Sequence, residues 1–145
     1  MNNTYSKAKE FKRKYSLTMA FRLQKHASVI EQHLHADEKI NYAFCGQKGK
    51  APLFFNKSCV VAITNERPVI GQKRLLWGYF FTTVTPDVYN DFKVFNGMIW
   101  SDILIDTLDE EVFITKLAPS GAIEVQKHIT KFMMEEKKKY AKENK

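Results

Sequence analysis

The chain predicts an α+β fold in which strands dominate: seven antiparallel strands rolled into a barrel of two near-orthogonal sheets, with an N-terminal helix and a capping C-terminal helix. Three observations carry that expectation. Between residues 39 and 117, β-branched and aromatic residues recur in short runs broken by Gly, Pro, Asn and Asp. Within that region Ile99, Ile103 and Ile105 fall on one face of a period-two pattern, opposite Asp102 and Asp106. Beyond it, Ala122, Val125, Ile129, Phe132 and Met133 repeat at helical spacing. Two small sheets crossing near a right angle leave one mouth open, and a helix with one apolar stripe can plug it.

Composition agrees with a single globular domain. A chain of 145 residues suffices for one core, and 44% hydrophobic against 27% charged residues is a folded rather than a disordered profile. No apolar run approaches the roughly 18 residues needed to cross a bilayer. Met1 to Ser16 is basic and polar without an apolar centre, so no secretory signal is expected. Cys45 and Cys59 are too few for a disulfide framework, which points to a cytoplasmic setting with both thiols reduced.

The elements follow in order. Residues 1–15 read as a basic, flexible lead-in, and a single domain is expected over 16–140. A helix over 16–35 follows from the stripe Leu23, Ala27, Ile30 and Leu34, with Ser16 as its N-cap. The strands then run over 39–46, 58–64, 69–75, 79–85, 91–96, 99–107 and 112–117. The hairpin turn Thr64-Asn65-Glu66-Arg67 is read from an Asn able to adopt a left-handed backbone, with Pro68 tolerated at the start of the returning strand. Asn96-Gly97 and Leu108-Asp109-Glu110 turn the final meander. The closing helix is expected over 120–140, and 141–145 as a frayed tail.

Over most of its length the chain resembles the bacterial pleckstrin-homology-like domains, in particular the YokE-like group. The resemblance rests on Val61-Ala62-Ile63-Thr64-Asn65-Glu66-Arg67 and on Ile70-Gly71-Gln72-Lys73-Arg74-Leu75-Leu76-Trp77-Gly78-Tyr79. Gly97-Met98-Ile99-Trp100 and the segment from Phe132 to Tyr140 reinforce it. It implies the barrel fold, no catalytic activity and a homo-oligomer.

The net charge of +7 sits at the ends: +6 over 1–25, −2 over 26–119 and +3 over 120–145. Lys7, Lys9, Lys12, Arg13 and Lys14, interleaved with Phe11 and Tyr15, form a basic arm suited to an anionic membrane or to non-specific nucleic-acid contact. A solubilising tail is the plainer alternative. Lys48, Lys50 and Lys57 flank the first strand–strand loop with no acid between Gly46 and Ser58. They are candidate anion or headgroup contacts, although the loop has no Arg to supply a bidentate fork. Phe54, Phe55, Arg74 and Trp77 are a candidate interaction surface, with Arg74 able to stack on Trp77. Arg67 is read as fixing its turn through carbonyl hydrogen bonds.

No nucleophile elbow, phosphate-cradling Gly-rich turn or paired-carboxylate arrangement is present, so no catalytic residue and no cofactor is expected. The His and Cys spacings provide no convergent set, so no metal is expected either. The reading is a non-catalytic protein–protein interaction or self-assembly module. Peripheral binding to anionic membrane is the alternative, and specific nucleic-acid recognition is not expected.

Overall fold

The computed structural model describes residues 3–49, 57–74, 77–84, 89–107 and 111–143. Seven strands form one antiparallel sheet: β1 (Ile40–Lys48), β2 (Ser58–Thr64), β3 (Pro68–Lys73), β4 (Tyr79–Thr83), β5 (Tyr89–Asn96), β6 (Ser101–Thr107) and β7 (Glu111–Leu117). Their spatial order is β4-β3-β2-β1-β7-β6-β5, a single sheet in place of the two expected. The expectation of two has a visible origin. Among the described residues the β1–β7 ladder pairs Gln47 with Thr115 and Lys48 with Ile114, a narrow seam between two well-paired halves.

Every residue of β2 is buried, because it lies between β1 and β3 and has side chains packed on both faces. Ile103 and Ile105 are buried as their alternation predicts, while Ile99 precedes β6 and is 55% exposed. The closing helix, α3 (Pro119–Glu143), buries Ala122, Val125, Ile129, Phe132 and Met133 in the same core cluster as the strands.

The N-terminal region departs from expectation. Residues 4–14 are not a loose lead-in but a helix, α1 (Thr4–Lys14), with Thr4, Ala8 and Phe11 buried along one face. Phe11 packs against Phe44 and Tyr15, and the Thr4 N–H and hydroxyl both donate to Glu31. The helix expected from Ser16 begins later, as α2 (Leu23–His33). Residues 15–22 cannot extend it, because their backbone groups are engaged elsewhere: Met19 N–H donates to the Lys116 carbonyl and Phe21 N–H to the Ser58 hydroxyl, while the Thr18 hydroxyl takes the Ala118 N–H. This segment is a strap across the ends of β2 and β7.

Helix α2 lies against β3 at unusually close range. A Cβ on Gly71 would fall 2.7 Å from the Ile30 side chain and 2.9 Å from the His26 carbonyl, so only glycine fits there. The β2–β3 turn also forms differently from expectation. Asn65 is not left-handed; the Thr64 hydroxyl holds the turn by accepting the Glu66 and Arg67 N–H groups. The freed Asn65 carboxamide accepts the Lys39 N–H instead and anchors the approach to β1.

Candidate functional site

The strap, the close packing of α2 and the ends of β1 to β4 together enclose a basic pocket of ≈ 450 Å³. Buried Gln47 organises one side: its Nε2 donates to the Met19 carbonyl and the Ser58 hydroxyl, and its Oε1 accepts the Lys57 N–H. The same hydroxyl takes the Phe21 N–H, which fixes the chain immediately before Arg22. Arg22 has φ 55, a left-handed conformation costing a non-glycine residue roughly 1–2 kcal/mol. From that position its carbonyl accepts the Lys25 and His26 N–H groups and opens α2, with no side chain capping the helix. The positive end of the helix dipole therefore begins at the pocket wall.

Five cationic side chains line the pocket: Arg22, Lys48, Lys57, Lys73 and Arg74. Ser58, Gln72, Gly49, Phe80 and His26 complete the lining, and no acid stands among these described residues. His26 is 2% exposed. Its Nδ1 accepts the Lys73 N–H at 2.8 Å, which in the neutral ring puts the proton on Nε2. Nε2 has no hydrogen-bond partner. Burial, aided by the Arg22 charge, pulls the His26 pKa down to about 4, against a smaller opposing pull from the Phe21 backbone. Near neutral pH the pocket wall thus contains an uncharged His26 whose buried Nε2–H has no hydrogen-bond partner, in a lining that also holds five cations.

The sequence-predicted residues divide sharply. Lys48, Lys57 and Arg74 come together in this pocket. Lys50, Phe54 and Phe55 lie outside the described residues. Trp77 is 77% exposed and does not line the pocket. The basic arm is α1, none of whose residues lines the pocket, and its aromatic residue Phe11 faces the core. Lys14 is engaged with Glu124 at 2.8 Å, and Lys12 donates to the Ser16 carbonyl. Glu124 also accepts from the Tyr42 and Tyr15 hydroxyls; burial raises its pKa, but these donors outweigh it and hold the carboxyl below its ordinary value. That cluster ties α1, β1 and α3 together. Lys7, Lys9 and Arg13 remain on the exposed side of α1. Arg22 and His26 were missed from sequence, and Gly71 was the one signal for them: a glycine inside a strand pattern marks close approach by another backbone.

Arg67 proves to be more than a turn residue. Its Nε and Nη2 each donate at 2.9 Å to Glu38, its Nη2 also to the His33 carbonyl and its Nη1 to the Thr83 hydroxyl. Glu38, 1% exposed, also accepts the Thr64 hydroxyl and the His35 N–H. His35 and Glu66 approach the same carboxylate, the one cluster with metal-like convergence among the described residues. Both Glu38 oxygens are already held by Arg67 and a second donor, so the chemistry of the cluster is that of a buried ion pair.

No protein-family model matches the chain, and no curated protein matches it. Among solved structures it is similar to the pleckstrin homology domain from Shewanella amazonensis SB2B, at 14% identity, covering 76% of this chain and 96% of that one, with a TM-score of 0.50. It is also similar to a DUF1696 family protein with a pleckstrin-homology domain from Shewanella loihica PV-4, at 14% identity, covering 76% and 95% of the two chains, with a TM-score of 0.48. The first likeness shows the fold: pleckstrin-homology-like, with a seven-stranded antiparallel sheet and helices at both ends. No helix among the described residues is long and apolar enough to cross a membrane.

Proposed function

We propose that the protein is a non-catalytic, pleckstrin-homology-like binding module whose basic pocket takes a phosphate-bearing anion. His26 is the observation that carries this reading. A buried donor without a partner costs about 1–3 kcal/mol, and an anion oxygen placed at Nε2 recovers it while the surrounding cations balance the charge. The uncapped start of α2 adds a further favourable electrostatic contribution. The resemblance of residues 61–79 to the YokE-like group and a cytoplasmic setting belong to the same reading. So does a crossing of the two sheet halves about the narrow β1–β7 seam.

Calorimetric titration with inorganic phosphate and pyrophosphate at low ionic strength tests it. Saturable binding is expected, tighter for pyrophosphate and weakened by salt. Lys48→Glu and Arg74→Glu should each reduce affinity by at least about tenfold, since a charge-assisted hydrogen bond is worth roughly 1.5–3 kcal/mol. The reading is wrong if neither anion saturates, or if Lys9→Glu and Arg13→Glu on α1 abolish binding while the pocket variants retain it.

A second reading, protein docking or self-assembly, is favoured by the β5–β6 hairpin. β5 ends the sheet order, and Phe95, Met98 and Ile99 at its tip are exposed. An exposed strand edge bearing apolar side chains invites pairing with another chain. Light scattering should then give a mass above the 16.9 kDa of one chain, and Met98→Asp with Phe95→Asp should return it to that value. A monomer at high concentration would remove this reading and leave the first intact.

A further inference from the structure

The basic pocket does not stand alone. A second chamber of ≈ 210 Å³ shares Lys48, Gly49 and Phe80 with it and is otherwise lined by Thr82, Glu111, Val112 and Phe113. The shared wall is defined in detail: the Lys48 ammonium lies 3.8 Å from the centroid of the Phe80 ring. Gly49, at φ +80, has no atom of the described residues within 4 Å of where a Cβ would stand, at the point where the two chambers meet. Their characters are opposite. The first is ringed by cations, whereas the second has Phe80, Val112 and Phe113 as its larger walls and a carboxylate, Glu111, beside them. An anion is drawn to the five cations of the first chamber, and far less to the second, where Glu111 offsets Lys48. The rings of Phe80 and Phe113 suit the second to an apolar group.

From this juxtaposition, and resting on the anion-binding reading above, we infer that the ligand is an amphiphilic phosphate monoester. Its phosphate sits among Arg22, His26, Lys48 and Lys73, and its apolar substituent passes Gly49 to lie between Phe80 and Phe113. Lys48 marks the junction, its ammonium 3.8 Å from the centroid of the Phe80 ring that both chambers share and counted among the cations of the first. Such a group is shared by free alkyl or aryl phosphates and by phosphatidic acid.

Calorimetry with methyl, butyl and hexyl phosphate is the test. Each methylene buried in the second chamber is worth about 0.8 kcal/mol, close to fourfold in affinity, so hexyl phosphate should bind at least about tenfold more tightly than methyl phosphate. Thr82→Phe, which fills the chamber, and Phe113→Ala, which removes a wall, should erase that gain and leave methyl phosphate binding unchanged. Thr82→Phe keeps the test decisive if Phe113→Ala fails to fold. Equal affinity across the series, with methyl phosphate bound, overturns the inference while sparing the anion site. Failure of all three esters overturns the anion site itself. Capture of phosphatidic acid vesicles, competed by hexyl phosphate, would assign the ligand to a lipid; tight hexyl phosphate binding without vesicle capture would assign it to a free ester.

Discussion

Replacing Glu38 by Gln should be among the most destabilising isosteric changes available in this protein. The carboxylate is 1% exposed and receives four donors: the Arg67 Nε and Nη2, the Thr64 hydroxyl and the His35 N–H. Burial alone would raise its pKa, but these donors outweigh burial and hold it at about 2, against an ordinary 4.5. A folded-state pKa below the unfolded one gives stability that is complete above pH 4.5 and is lost as pH falls toward 2. Taken in full, the shift amounts to roughly 3 kcal/mol. Arg67 keeps a solvent edge, 15% of its side chain, so screening reduces this to about 2 kcal/mol. Glu38→Gln also leaves the Arg67 charge under-compensated, bringing the total loss at pH 7 to about 2–4 kcal/mol. For a chain of this size that lowers Tm by about 6–12 °C. Urea denaturation of both proteins at pH 7 and pH 3 measures it, and the gap should shrink to less than about half at the lower pH, because the unfolded-state carboxyl takes up a proton below pH 4.5 while the native one stays largely ionised. A gap under about 0.5 kcal/mol at pH 7, or one unchanged at pH 3, would refute the assignment.

Three further substitutions separate packing from binding. Arg22→Gly relieves a left-handed backbone, so stability should hold or rise by up to about 1 kcal/mol while phosphate affinity falls about tenfold; calorimetry and urea denaturation on the same sample read both. Phe11→Ala should cost about 3–5 kcal/mol if α1 is integral to the core, and a loss below about 1 kcal/mol in denaturation would return that segment to a lead-in. Gly71→Ala, which forces α2 away from β3 at Ile30 and His26, should destabilise by about 1–3 kcal/mol and weaken phosphate binding in the same variant.

What the sequence disclosed follows the strength of its periodic signals. Ser58–Thr64, a run of seven residues, was legible as a buried strand because every position is apolar or small, and it is buried throughout. The α3 stripe was equally clear because all five of its members are apolar and all are buried. α1 was invisible for the opposite reason: its buried face is Thr4, Ala8 and Phe11, and only the last announces itself amid lysines. The strap was hidden because its hydrogen bonds run to Lys116, Ser58 and Ala118, far along the chain. Lys48 and Lys57 could be picked out because they flank one loop without an intervening acid. Arg22 and His26 join them only through tertiary packing, and a single glycine in β3 was the residue that betrayed it.

The imidazole nitrogens of His26, followed by long-range ¹H–¹⁵N correlation during titration with phosphate at pH 7, interrogate the pocket at its centre. The free protein should show a neutral ring protonated at Nε2, and that nitrogen should shift saturably as phosphate is added, with the shift abolished in Lys48→Glu. A resonance that stays fixed while phosphate saturates the protein, moving only the signals of α1, would contradict it.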